Sequence, residues 1–241
     1  MGTKVAFFDI DGTIFRNSLM IQHFRTLIKF EIIDPAIWYS EIKEVYTEWE
    51  TRYGDFEEYL EVIAKAYLDS LKGVDKSFME IIAAKVIELN GDMVYKYSRD
   101  RIEWHKKQGH KLFFISGSPD FLVSKMAEKY SADEYRGTLY EVDEENKFTG
   151  EIMRMWDSVS KQRVIDELIE KYDVDLENSF SYGDTTGDLS MLKMVGNPIA
   201  INPNKALFLS IREDTDLKEK IEIIIERKNV IYKLDPDTEI L

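Results

Sequence analysis

Residues 4–13, KVAFFDIDGT, constrain this chain more than any other stretch. Val5-Ala6-Phe7-Phe8 is an unbroken apolar run. A strand without polar alternation has both faces covered, as in the middle of a parallel sheet flanked by helices. The run ends in Asp9 and Asp11, with one residue between them. Ionised carboxylates at the rim of a core are costly unless a cation or hydrogen-bond donors meet them. Gly12 lets the chain turn sharply off the strand tip. An Asp-Gly pair is also an ordinary turn, so the stretch alone leaves two readings open, a polar turn and a cation site.

Three later stretches bear on that choice. KLFFI at 111–115 reads as a second buried strand and runs into Ser116-Gly117-Ser118. Residues 179–182 read as a third and run into Gly183-Asp184-Thr185-Thr186-Gly187-Asp188. Between them Lys161 opens the helical pattern KQRVIDELIEKY, with Ser158 or Ser160 as its expected cap. In open parallel sheets the ligand crevice lies beyond the carboxyl ends of the strands. The tips therefore bring four carboxylates, a hydroxyl and a lysine together. Helix capping would account for Asp184 or Asp188 alone, but not for both beside two further acids.

This ordered set resembles the four motifs of the haloacid dehalogenase-like phosphatase superfamily. DIDGT matches the first motif, Ser116 the second, Lys161 the third and GDTTGD the fourth, across nearly the whole chain. The resemblance implies an α/β fold: a parallel sheet flanked by helices, with a small helical cap after the first strand. It implies that Asp9 attacks phosphorus and that Asp11 protonates the leaving oxygen, then activates water. It implies that Ser116, the Gly117 N–H and Lys161 hold the phosphoryl group. Magnesium is the implied metal, since the site offers oxygen ligands. Asp9, the Asp11 carbonyl and Asp184 would hold it, with Asp188 acting through water or behind them. The expected activity is hydrolysis of a small-molecule phosphate monoester. Two alternatives are a phosphotransferase or mutase, and a non-hydrolytic phosphate-binding or receiver-like signalling protein.

Composition narrows the partners. The 241 residues suffice for one substantial core and a smaller module. A net charge of −14 argues against nucleic acid and anionic membranes as partners. There is no cysteine, hence no disulfide framework. The chain runs from Met1 almost directly into the first strand, and no apolar run reaches the ~18 residues that suggest a membrane span, so a cytoplasmic protein is expected.

Residues 17–92 read as helices throughout, capped in turn by Ser18, Asp34 and Asp55, and punctuated by Gly54 and Gly73. They form the expected cap domain, inserted into a core of residues 1–16 and 93–241. Gly109 stops a helix over 95–108, Pro119 opens the next, and 132–153 read as a β-hairpin excursion. Residues 217–228 read as an amphipathic surface segment. The helical insertion straight after the first motif resembles the phosphoserine phosphatase-like branch. Three positions depart from it. Asn17-Ser18 stand where that branch has a Glu, Ile63 where it has an Arg, and Gly187 where it has an Asn. A site for phosphoserine must satisfy an ammonium and a carboxylate. The departures predict a different small phosphomonoester, unless Arg25 or Arg52 supplies the missing charge.

Overall fold

In the computed structural model, which describes residues 2–240, the first strand is enclosed as its composition demands. The strands are β1 (Val5–Phe8), β2 (Lys111–Pro119), β3 (Glu134–Val142), β4 (Phe148–Met153), β5 (Phe180–Gly183), β6 (Asn197–Ile201), β7 (Glu222–Arg227) and β8 (Val230–Leu234). They form one eight-stranded sheet in the order β4-β3-β2-β1-β5-β6-β7-β8. β1 pairs parallel with both neighbours, Phe7 lying opposite Phe113 of β2 and Ser181 of β5. The parallel run extends from β3 to β7, and antiparallel β4 and β8 close its edges.

The helices are α1 (Leu19–Lys29), α2 (Lys43–Glu50), α3 (Phe56–Leu71), α4 (Lys76–Asn90), α5 (Lys96–Gln108), α6 (Asp120–Tyr130), α7 (Ser158–Tyr172), α8 (Leu189–Met194), α9 (Lys205–Glu213) and α10 (Thr215–Lys220). Alternation along β1 distributes its side chains between them. Ala6 and Phe8 join a core that includes Leu19, Phe24, Tyr67, Ile102 and Phe121. Val5 and Phe7 face the other way, with Val164, Ile165 and Leu168 of α7 and Met191 of α8. Both faces of the sheet are thus covered, which is why β1 carries no polar residue.

Residues 17–92 contain α1–α4, and no strand occurs there among the described residues. An antiparallel bridge between Phe15 and Val94 closes the base of this insertion. Its core is continuous with that of the sheet: Tyr59, Ile63, Tyr67 and Met79 belong to the same buried cluster as Phe121, Tyr140 and Phe148. The α3–α4 turn is also stitched to β4. The Gly73 N–H donates to the Phe148 carbonyl (2.8 Å), and the Phe148 N–H donates to the Val74 carbonyl (3.0 Å).

Several local expectations need correction. The cap of α7 is Asp157, whose carboxylate accepts from the Val159 and Ser160 N–H groups, so neither serine has that role. The carboxylate accepts more strongly than a hydroxyl and also sits at the positive end of the helix. β2 does not stop at Ile115; it continues through a register shift to Pro119. β3 is a member of the main sheet, parallel to β2, and only its pairing with β4 is a hairpin. The second helix of the insertion begins with a π-helical stretch, Trp38–Ile42. The segment 217–228, expected as an amphipathic stretch at the surface, does not stay at the surface. It contains α10 and then β7, where Ile223 and Ile224 are buried.

Candidate active site

The tips of β1 and β5 and the first turns of α7 meet at one buried ionic cluster. Lys161 projects from α7 to place Nζ 2.7 Å from Asp9 Oδ1 and 2.6 Å from Asp188 Oδ1. All three side chains are essentially inaccessible: Lys161 is 3% exposed, Asp9 5% and Asp188 0%. The second oxygen of Asp188 accepts from the Asp184 and Thr185 N–H groups, at 3.0 and 3.1 Å. Asp188 therefore ties the β5 turn to Lys161. Asp184 accepts from the Thr13 hydroxyl (3.1 Å), which joins the first motif to the fourth.

Close approach here depends on glycine. Gly12 has φ +83°, and a Cβ added to it would lie 2.0 Å from Asp184 Oδ2. No other residue type combines that backbone angle with that proximity. Trp156, just ahead of α7, packs across two further glycines. A Cβ on Gly117 would come within 2.8 Å of Trp156 Cβ, and one on Gly187 within 2.5 Å of the Trp156 carbonyl.

Asp11 lies beside this cluster with different partners. Its Oδ1 accepts the Leu19 N–H at the start of α1 (2.7 Å). Its Oδ2 accepts from the Ser118 hydroxyl and lies 3.5 Å from the Ser116 hydroxyl. Ser116 Oγ itself accepts the Ser118 N–H (3.1 Å). The Thr138 hydroxyl donates to the Gly117 carbonyl (2.7 Å).

Burial sets the electrostatics. It pushes Asp9 up, with Asp188 and Asp11 adding like-charge repulsion against the pull of Lys161. Burial likewise raises Asp184, with Asp9 and Asp188 adding to it, and Asp11, where hydrogen bonds from Ser118 and Leu19 oppose it. For Lys161 burial acts downward, but the Asp188 and Asp9 carboxylates outweigh it and hold the ammonium charged. One oxygen from each of Asp9, Asp184 and Asp188 lies within 4.8 Å of the others. Ionised together, these three carboxylates would outweigh the one ammonium, and the buried Asp9 and Asp184 favour their protonated forms when no further cation is bound. An all-oxygen donor set of that kind suits a hard divalent cation. The Asp11 carboxylate stands outside this triad.

Every residue expected at the site from the sequence is at these strand and helix ends. Asp9, Lys161, Asp184 and Asp188 form the ionic cluster; Asp11, Ser116 and Gly117 flank it. Sequence reasoning missed Ser118, Thr13 and Trp156. Ser118 had a signal, since it alternates with Ser116 along an extended strand. Thr13 lay within the first motif. Nothing in the sequence links Trp156 to the two glycines it crosses.

The model of the haloacid dehalogenase-like hydrolases matches residues 6–193. The chain belongs to that family. It is similar to an inhibition of morphological differentiation protein from Streptomyces azureus, 27% identical over 204 residues that cover 84% of this chain and 73% of that one. It is also similar to a phosphoserine phosphatase from Mycobacterium tuberculosis, 23% identical over 219 residues, 88% of this chain and 68% of that one. A solved phosphoserine phosphatase with substrate bound shares the fold at TM-score 0.59 and 22% identity, covering 94% of each chain. It is similar as well to a phosphoserine phosphatase from Archaeoglobus fulgidus, 24% identical over 183 residues, 76% of this chain and 51% of that one. Among the described residues no helix is long and apolar enough to cross a membrane.

Proposed function

We propose that the chain is a magnesium-dependent phosphatase that hydrolyses a small-molecule phosphate monoester through an aspartyl-phosphate on Asp9. The observation that carries this reading is the buried contact of Lys161 with both Asp9 and Asp188, beside Asp184 and a separately anchored Asp11. A cluster of that composition is a poor stability element. Two charges taken out of water recover their cost only with excellent geometry, so a structural role alone does not account for it.

In the proposed sequence an Asp9 carboxylate oxygen bonds to phosphorus as the P–O ester bond breaks, and Asp11 delivers its proton to the departing oxygen. Asp11, now a carboxylate, takes a proton from water as the water oxygen bonds to phosphorus. The Asp9–phosphorus bond then breaks, releasing inorganic phosphate and the free Asp9 carboxylate. Lys161 and the Ser116-Gly117 turn hold the phosphoryl oxygens. Asp9, the Asp11 carbonyl and Asp184 would hold magnesium, with Asp188 behind them; when bound, the ion offsets the repulsion between Asp9 and the phosphate dianion. Residues 17–92 would act as a cap over a core of residues 1–16 and 93–241 and contribute binding to the non-reacting part of the substrate.

The substrate is proposed to be something other than phosphoserine. The Ser18 hydroxyl is committed to capping α1, accepting the Ile21 N–H at 3.4 Å. Ile63 is fully buried in the core and offers no charge. Arg25 is held among aromatic rings, 5.3 Å from the Tyr46 centroid and 3.3 Å from the Tyr59 hydroxyl. Losing a charge-assisted contact at a desolvated site costs roughly 2–5 kcal/mol, a large factor in specificity.

The test is hydrolysis of a phosphomonoester panel with magnesium by wild type and Asp9→Asn. Activity lost in a well-folded Asp9→Asn variant, and trapping of phosphate on wild type but not on the variant, is the expected result. Appreciable turnover by Asp9→Asn refutes the covalent route. A clear preference for L-phosphoserine over sugar, amino-alcohol and nucleotide monophosphates refutes the substrate proposal alone.

A further inference from the structure

The first turn of α1 uses the site as its N-terminal cap. The Leu19 N–H donates to Asp11 Oδ1 (2.7 Å), the Met20 N–H to Ser118 Oγ (3.3 Å) and the Ile21 N–H to Ser18 Oγ (3.4 Å). Ser118 is therefore both acceptor and donor: it receives the helix N–H and gives its own proton to Asp11 Oδ2. It is 2% exposed, so water does not compete for either bond. Ser116, the hydroxyl matching the second motif, accepts the Ser118 N–H and lies at the outer limit of hydrogen bonding from the same Asp11 oxygen (3.5 Å). The close side-chain donor to Asp11 is thus Ser118.

We propose that Ser118 is a positioning residue for Asp11: by anchoring one carboxyl oxygen while bound to α1, it fixes the orientation from which Asp11 serves the leaving oxygen. This rests on the proposed phosphatase chemistry and adds a residue to it. A hydroxyl suits the task because it retains donor and acceptor capacity together. Partners that orient a metal ligand from behind typically contribute about 10- to 100-fold, and the same scale is expected for a partner that orients a catalytic carboxyl.

A positioning role predicts a signature that a phosphate-binding or purely structural role does not. kcat/KM reports steps through the first irreversible one, where Asp11 matters most for poor leaving groups. Ser118→Ala is expected to lose roughly 10- to 100-fold in kcat/KM on an alkyl monophosphate, and less than about threefold on p-nitrophenyl phosphate. Inhibition by inorganic phosphate should stay within about twofold of wild type, because phosphate has no leaving group to protonate. Ser118→Cys, which keeps the size but weakens the donor, serves the same comparison if the alanine variant does not fold. Equal losses on both esters, or weakened inhibition matching the lost activity, overturn the proposal. Asp11→Asn is the reference: if it too shows no leaving-group dependence, the fault lies in the acid role given to Asp11. A steep dependence in Asp11→Asn with a flat one in the Ser118 variant overturns the Ser118 proposal alone.

Discussion

Replacing Lys161 with methionine removes the ammonium and keeps much of the side-chain volume. Asp9 and Asp188 are then left buried without the cation that sits 2.7 and 2.6 Å from them. Breaking a buried ion pair by deleting one partner costs about 3–5 kcal/mol, against 0–1 for an exposed pair. For a chain of this size each kcal/mol moves the thermal midpoint by about 2–4 °C, so Lys161→Met should melt about 10 °C lower at pH 7 with chelator present. Added magnesium should recover part of that difference, because a divalent ion offers the stranded carboxylates another counter-charge. Hydrolysis should fall at least 100-fold, the scale for removing a group aimed at developing charge. Calorimetry with and without magnesium, combined with turnover of p-nitrophenyl phosphate, reads both effects. A variant melting within 2 °C of wild type while keeping more than about a third of its activity would refute the assignment, because only a solvated lysine is that dispensable.

Gly12→Ala must place a methyl where Asp184 Oδ2 now lies, 2.0 Å away, at φ +83°. It should lose more than about tenfold in activity while unfolding only about 1–3 kcal/mol more easily in urea. His105 shares hydrogen bonds with Tyr182 and His110, and burial, reinforced by Arg101 and His110, lowers its pKa to about 3. A depressed histidine stabilises the fold fully above its unfolded value near 6.5, and that stability is lost as pH falls toward 3. Replacing His105 with glutamine should flatten the pH dependence of the unfolding free energy between pH 6 and 4 by about 1.4 kcal/mol per pH unit, measured by urea titration. Because the Phe148 ring is buried in the cluster that also holds Tyr67 and Leu71 of the insertion, replacing Phe148 with alanine should destabilise insertion and hairpin together, by about 3–5 kcal/mol. Hydrogen exchange that loosened only one of the two would contradict their shared core.

What was legible in the sequence was whatever one strand tip and its own turn determine. Val5–Phe8 announce burial through composition, and Asp9, Asp11 and Gly12 announce a sharp polar turn. The convergence of three tips follows from the parallel arrangement. Lys161 is legible through the family position ahead of the GDTTGD stretch and the expected cap before it, since a lysine on a helix looks the same whether it points outward or inward. The misses are of other kinds. Asp157 does not stand out as a cap because two serines nearby also satisfy capping preferences. β7 reads as part of an amphipathic segment because charged residues interrupt Leu217–Lys228, although the β-branched run Ile223-Ile224-Ile225 is a strand signal. The stitching of the α3–α4 turn to β4, and Trp156 lying over Gly117 and Gly187, join residues that share no local pattern.

The place of β1 in the sheet has a consequence for how the chain is made. Synthesis delivers Val5–Phe8 ahead of the other strands of this sheet, yet one neighbour, β2, begins at Lys111 and the other, β5, at Phe180. The earliest strand to emerge waits longest to be enclosed, through the translation of some three-quarters of the chain. During that interval an aromatic, β-prone run is the kind of segment that seeks partners on other nascent chains. Asp9 and Asp11 follow it directly, and charges flanking such a run discourage stray pairing. The two carboxylates proposed to handle phosphate in the finished protein would thus guard the unfinished one against aggregation.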